Sequence, residues 1–146
     1  PMALRLAVER RGDEVVRAMA AVLERSARAN ETGDFAALAE CNRAFNEAFV
    51  QTCGNRRLQA ILESLHAQTR QISVLVQKYR RSAPLDHEQH QRILDAVRRG
   101  DWEAADAATR DHLRSGRDVF LHALAQYREE LVAADGNVRG LLQPAD

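Results

Sequence analysis

The sequence is poor in the residues that build turns and sheets. It has 3 Pro and 7 Gly among 146 residues, and only 5% of its residues are aromatic. Turns depend on glycine and proline, and strands favour aromatic and β-branched side chains. In their place the chain has 25 Ala and 20 Arg, both good helix formers. We therefore expect an all-α protein, and a chain of this length is long enough to bury a core.

The chain also lacks an excess of either charge and any long apolar run. Its 21 basic and 21 acidic residues cancel, so no overall field draws it to DNA or to an anionic membrane. No apolar run approaches the roughly 18 residues of a membrane span, and the N-terminus is charged, unlike a signal peptide. We expect a soluble, cytoplasmic domain that by itself contacts neither membrane nor DNA.

Cysteine is scarce as well, with Cys41 and Cys53 as the two examples. We predict that both lie on one helix, about 18 Å apart by the helical rise. A disulfide spans at most roughly 7 Å between Cα atoms. Both should be free thiols, as in a reducing compartment.

Three Gly-Asp pairs organise the chain, at Gly12-Asp13, Gly33-Asp34 and Gly100-Asp101. Each places a glycine where one helix can end and an aspartate whose side chain can cap the next. With breaks at 54–55 and 82–84, they predict helices over about 3–11, 13–30, 34–53, 56–81, 86–99 and 102–132. We expect an antiparallel bundle of about six helices in residues 1–134, followed by a frayed tail, 135–146.

Two histidines share helical stripes with core residues. His90 lies three and four residues before Ile93 and Leu94, and His112 lies four residues after Ala108. Both imidazoles should therefore face the interior. A lone inward histidine is more often a satisfied core residue than a ligand. Two of them on adjacent helices favour a shared site.

Two asparagines flank an aromatic residue on the third helix. Asn42 and Asn46 are four residues apart and share the side that carries Phe45. A buried amide without a partner costs about 1 to 3 kcal/mol, so a polar pocket would satisfy both. The alternative is that they lie at the edge of the stripe and meet water.

These four residues belong to an ordered set of motifs. The set comprises Gly33-Asp34 before a helix, the segment Asn42-Arg43-Ala44-Phe45-Asn46, Gly54-Asn55 followed by Leu58, residues 90–97, Gly100-Asp101 and residues 105–113. In order and spacing it resembles the FCD effector-binding domain of FadR-type GntR transcription regulators, over roughly residues 13–124. The segment Asn42-Arg43-Ala44-Phe45-Asn46 is similar to that family's Asp-x-x-Phe-His motif.

The resemblance implies a metal site that this chain retains only in part. In many members an Asp and three His hold a divalent metal that faces a small carboxylate effector. His90 and His112 match two of these ligands, whereas Asn42 replaces the Asp and Asn46 replaces the third His. Two imidazoles and two amides make a marginal site for Zn, Ni or Mn, so metal affinity should fall steeply.

The preferred alternative is a pocket that works without metal, as in the acyl-CoA-binding branch of the family. The amides and imidazoles would then hydrogen-bond the effector directly. On the long helix, Arg70 is a candidate partner for an effector carboxylate, and His66 lies one turn before it. A solvated surface arginine is an equally simple interpretation of Arg70. We expect His87 and His122 to be surface residues.

The resemblance therefore implies an effector-sensing domain of a bacterial transcription regulator that also forms a homodimer. Its effector would be an organic acid or an acyl-CoA, and it would modulate DNA binding through an N-terminal winged-helix domain. Because nothing before Asp13 can form that domain, we expect an isolated effector domain that reaches DNA only through the missing part.

Two other classes stay open. One is a helical protein-interaction module without a ligand pocket. The other is a metal-dependent hydrolase, which is less favoured because the sequence shows no nucleophile-base set, no phosphate loop and no carboxylate at the predicted site. We expect the chain not to be an enzyme.

Overall fold

The computed structural model describes residues 1–79 and 84–141, with side chains over 1–68 and 87–132. These residues form six α-helices and no strand, which confirms the all-α prediction. The helices are α1 (Met2–Arg11), α2 (Asp13–Thr32), α3 (Phe35–Val50), α4 (Arg56–Tyr79), α5 (Pro84–Arg98) and α6 (Trp102–Leu141).

Two of the three Gly-Asp junctions form as predicted. Gly33 and Gly100 adopt left-handed backbone conformations, with φ of 67° and 69°. The Asp34 carboxylate accepts from the backbone N–H of Ala37 at 2.9 Å, and Asp101 caps α6 in the same way at 3.0 Å. These bonds satisfy amide groups that the first helical turn leaves free, so they fix where α3 and α6 begin.

The junction at Gly12 differs from the prediction. Gly12 itself is the N-cap of α2, and no side chain caps this helix. Since a single residue separates α1 from α2, Asp13 is already the first helical residue and cannot serve as the cap. Its charge stabilises the positive end of the helix dipole instead.

Two helix boundaries also shift. Helix α5 begins at Pro84 rather than Asp86, because the fixed φ of proline suits the first helical position. Helix α6 continues to Leu141, past the predicted end near Val132. Glycine inside a helix costs only about 1 kcal/mol, so Gly136 does not end it. Of the tail predicted to be frayed, residues 142–146 lie outside the described residues.

The core lies where α2 packs against α3 and α5, with α1 against α2 and α3. Its largest fully buried side chains are Leu4, Val15, Met19, Phe45, Val50 and Leu94. Helix α5 also packs against α6, which in turn contacts α4. Leu94 and its neighbour Ile93 anchor α5 in the core. His90, one turn earlier on the same face, is therefore carried inward.

Both cysteines are buried free thiols, as predicted. They do not share a helix, however, because α3 ends at Val50 and Cys53 follows in the turn. None of the helices, over the residues described, is long and apolar enough to cross a membrane.

Candidate functional site

The two predicted histidines meet in the interior, between α5 and α6. His90 is 2% exposed and His112 is 8% exposed. Their Nε2 atoms are 3.2 Å apart, and their ring centroids are 4.5 Å apart. A short turn at Gly100-Asp101 joins the two helices, and the histidines lie at similar distances before and after it. The hairpin therefore brings them to the same level.

The third contributor to this contact is Gln89, which the sequence analysis did not single out. The Oε1 atom of Gln89 lies 2.9 Å from Nδ1 of His112. Because a glutamine Oε1 atom only accepts hydrogen bonds, this contact is satisfied when the proton of His112 is on Nδ1. In that neutral tautomer the lone pair of Nε2 can accept from Nε2–H of His90, which lies 3.2 Å away. The three side chains form one hydrogen-bonded chain between the helices.

Helix α3 reaches this pair through Phe45. The Phe45 ring is fully buried and stacks on His90, with centroids 4.0 Å apart and an interplanar angle of 20°. The Phe45 ring also makes an edge-to-face contact with Phe49, with centroids 6.4 Å apart. Stacked rings of this kind add about 0.5 to 1.5 kcal/mol beyond burial. Phe45 thus fixes the plane of the His90 imidazole from a third helix.

The two predicted asparagines flank Phe45 on α3, and both are half-buried. The side-chain N–H of Asn46 donates to the backbone carbonyl of Asn42 at 2.9 Å. The Oδ1 atom of Asn42 is buried and has no hydrogen-bond partner among the described residues. An acceptor in that state costs about 1 to 3 kcal/mol. Asn42 is therefore a polar group that a ligand donor would satisfy.

Arg43, in the middle of the same motif, is held on the surface of α3. It forms ion pairs with Glu40 and Glu47, and its Nη1 lies 2.7 Å from Oε1 of Glu47. The hydrogen bonds to Glu40 and then Glu47 raise the pKa of this guanidinium above its usual value. Its charge is thus committed to two carboxylates of its own helix.

The remaining candidates occupy different surroundings. His66 is half-buried on α4, and the side chain of Arg70 lies outside the described residues. His122 is exposed, as predicted. His87 was expected at the surface but is half-buried, and its buried Nδ1 has no hydrogen-bond partner within the described part of the chain. It precedes His90 by almost one turn, which explains its partial burial.

The distance between the two histidines suits a shared metal ion, but the number of protein ligands around them does not. Two nitrogens that each lie 2.0 to 2.1 Å from one ion are about 2.9 to 3.4 Å apart in octahedral or tetrahedral geometry. The observed Nε2 separation of 3.2 Å falls in that range. However, the described residues contain no group of three His, Cys, Asp or Glu side chains that could hold a metal. Among the described residues, the motif offers the amide oxygens of Asn42 and Asn46 as further ligands.

Six packed helices that enclose a hydrogen-bonded histidine pair define an all-α domain with a polar centre between its helices. The family model of the FCD domain matches residues 1–115. The chain therefore belongs to the FCD domain family, the C-terminal domain of GntR-family regulators. No curated protein and no solved structure gives a significant match.

Proposed function

We propose that this chain is the effector-sensing domain of a GntR-family regulator and that it binds a small carboxylate-type metabolite beside His90 and His112. The observation that carries the proposal is the buried histidine pair between α5 and α6. Apolar side chains would fill that position at less cost than two imidazoles. FCD domains of GntR regulators bind small-molecule effectors, which supports a ligand-binding role for the pair.

The available groups favour direct binding of the effector. Imidazole N–H and asparagine amide N–H groups donate to carboxylate oxygens. The Oδ1 of Asn42, which has no hydrogen-bond partner among the described residues, is an acceptor for an effector hydroxyl or amide. Arg70 and His66 remain candidates on α4, where Arg70 would supply the positive charge that pairs with the carboxylate. Organic acids and sugar acids offer a carboxylate for these contacts, and acyl-CoAs offer phosphate, hydroxyl and amide groups.

A metal-assisted form of the same site is the second candidate, and it rests on the 3.2 Å separation of the two Nε2 atoms. His90 and His112 would be the imidazole ligands, with the side-chain oxygens of Asn42 and Asn46 as weak additional ligands for Zn, Ni or Mn. The ion would supply positive charge to the effector carboxylate. The same residues build the site in both forms, by binding the effector in one and by holding the ion in the other.

A thermal-shift screen of carboxylates, sugar acids and acyl-CoAs, with and without Zn, Ni and Mn, tests this function. At one hundred times its Kd, an effector adds about 2.7 kcal/mol. This raises Tm by about 5 to 11 °C in a domain of this size. The shift should disappear in His112→Gln and persist in His122→Gln, because His122 is exposed on the same helix.

Each result of the screen has a defined meaning. A shift that requires a metal supports the metal-assisted form, and a shift without metal supports direct binding. If no compound raises Tm under any condition, the effector proposal is wrong and a helical interaction module is favoured. Turnover of esters or phosphates that His90→Ala abolishes would favour a hydrolase, although FCD domains of regulators are generally non-enzymatic.

We also propose that the domain forms a homodimer through α6. Five exposed apolar side chains lie within about 100° of arc on this helix by its 3.6-residue period: Leu113, Leu121, Leu124, Leu131 and Val132. An exposed apolar stripe of this length is typical of an interface. Effector binding between α5 and α6 would then shift the interface and so the spacing of attached DNA-binding domains.

Analytical ultracentrifugation tests the dimer. The wild-type chain should sediment at twice its mass of 16.4 kDa. Leu124→Glu should sediment as a monomer, because it places a charge in the apolar stripe. His122→Glu, an exposed position about 160° around the helix, should leave the dimer intact. A wild-type monomer at all accessible concentrations would contradict the proposal.

A further inference from the structure

Gln89 is the one described side chain whose hydrogen bond fixes the chemical state of a site histidine. It is half-buried on α5 and reaches across to α6, where its Oε1 lies 2.9 Å from Nδ1 of His112. The other nitrogen of that ring, Nε2, points to His90 at 3.2 Å. One end of the His112 ring thus contacts Gln89, and the other end contacts His90.

We propose that Gln89 is a positioning residue that holds His112 in the Nδ1–H tautomer, so that the Nε2 lone pair is directed towards His90 at the centre of the site. The reason is the donor inventory of the two groups. A side-chain carbonyl oxygen only accepts hydrogen bonds, so Nδ1 has to carry the proton. A neutral imidazole has a single N–H, which leaves Nε2 as the acceptor or ligand atom.

The comparison with Gln91 shows that this arrangement is specific to position 89. Gln91 lies two residues further along α5 and is also half-buried. Its Nε2–H donates to Asp95 of the same helix at 2.8 Å. Gln91 therefore makes a local bond on α5, whereas Gln89 joins residues 23 positions apart on two helices. The two glutamines form a matched pair for experiment.

The inference deepens the proposed function, because it says which atom of His112 the ligand meets. An Nε2 lone pair suits a donor group of an effector, and it also suits a divalent cation. A carbonyl partner on the opposite ring nitrogen orients the imidazole and increases its basicity. This role of Gln89 does not depend on the identity of the effector. The tautomer of His112 therefore tests Gln89 separately from ligand binding.

A two-bond 1H–15N correlation spectrum of the full chain distinguishes protonated from unprotonated ring nitrogens and so reports the tautomer directly. The wild-type protein should show the proton of His112 on Nδ1. In Gln89→Met, which keeps the side-chain length but removes the acceptor, this pattern should be lost. Gln89→Glu restores an acceptor oxygen and should retain it, and so should Gln91→Met. Circular dichroism of each variant establishes that it folds.

Three outcomes would overturn the inference: a wild-type His112 protonated on Nε2 alone, an Nδ1–H pattern that survives in Gln89→Met, or loss of the pattern in Gln91→Met. If Gln89→Met fails to fold, the wild-type spectrum still tests the inference, because protonation of His112 on Nε2 alone would contradict it.

A second measurement uses Zn2+ alone as the probe, by calorimetric titration. If wild type binds Zn2+, Gln89→Met should bind it about 10- to 100-fold more weakly, while Gln91→Met should match wild type. Equal affinity in Gln89→Met and wild type would contradict the positioning role. If wild type takes up no Zn2+, the zinc version of the metal-assisted form fails, and the tautomer spectra remain the test of Gln89.

Discussion

Replacing Phe45 with alanine should destabilise the domain and disturb the site together. Phe45 is 0% exposed, and substitutions of buried phenylalanine by alanine cost about 3 to 5 kcal/mol. Domains are stable by about 5 to 15 kcal/mol in total, so the loss is a large fraction. With a urea m-value of about 2 kcal/mol/M, the unfolding midpoint should fall by about 1.5 to 2.5 M.

The control for this prediction is Phe35→Ala. Phe35 is 59% exposed, so its truncation should change stability by no more than about 0.5 kcal/mol. Urea unfolding followed by circular dichroism measures both variants. If Phe45→Ala and Phe35→Ala differ by less than about 1 kcal/mol, the buried position of Phe45, and with it the inward placement of His90, is wrong.

The stacking on His90 can be separated from burial by a double-mutant cycle. Phe45→Leu keeps most of the apolar volume but removes the ring that lies 4.0 Å from the His90 centroid. Combined with His90→Gln, it should show a coupling energy of about 0.5 to 1.5 kcal/mol. Strict additivity of the two changes would show that the two rings do not interact.

Three smaller effects follow from the turns and the surface. Asp34→Ala removes the cap bond to Ala37 and should cost about 1 kcal/mol in urea unfolding, whereas Asp34→Asn should retain most of it. Gly100→Ala should cost about 1 to 2 kcal/mol, because φ is 69° and no neighbouring atom adds a clash; an unchanged Tm would contradict that backbone conformation. Arg43→Ala should cost less than about 1 kcal/mol, and 1 M NaCl should reduce the difference, since its side chain is 38% exposed.

Helical periodicity was sufficient to predict the two histidines but not the glutamine between them. His90 and His112 repeat at three and four residues from apolar neighbours, so the pattern assigns them to the buried face. Gln89 is adjacent to His90 and thus lies about 100° around the helix, outside that stripe. It reaches His112 only because α6 packs beside α5 at this level. No pattern in a single helix contains that information.

The asparagines illustrate a second limit of periodicity. The four-residue spacing of Asn42 and Asn46 predicted that both lie beside Phe45 on α3. The structure shows both asparagines half-buried on that helix. Whether an amide there meets a neighbour, water or a ligand depends on the depth of packing between helices. The helix ends show the same limit. Side-chain caps at Asp34 and Asp101 were predictable from local chemistry. The role of Asp13 was not, because it depended on the turn before it having a single residue.

The two histidines are only 22 residues apart in the chain and belong to consecutive helices. Closing so short a loop costs little entropy, so the pair can assemble as soon as the α5–α6 hairpin forms during folding. Phe45 precedes His90 by 45 positions, and its stacking requires the later docking of α3. A ligand that binds both imidazoles would therefore act as a local crosslink between α5 and α6. The backbone amides of this hairpin should then exchange their hydrogens more slowly than those of α1 and α3.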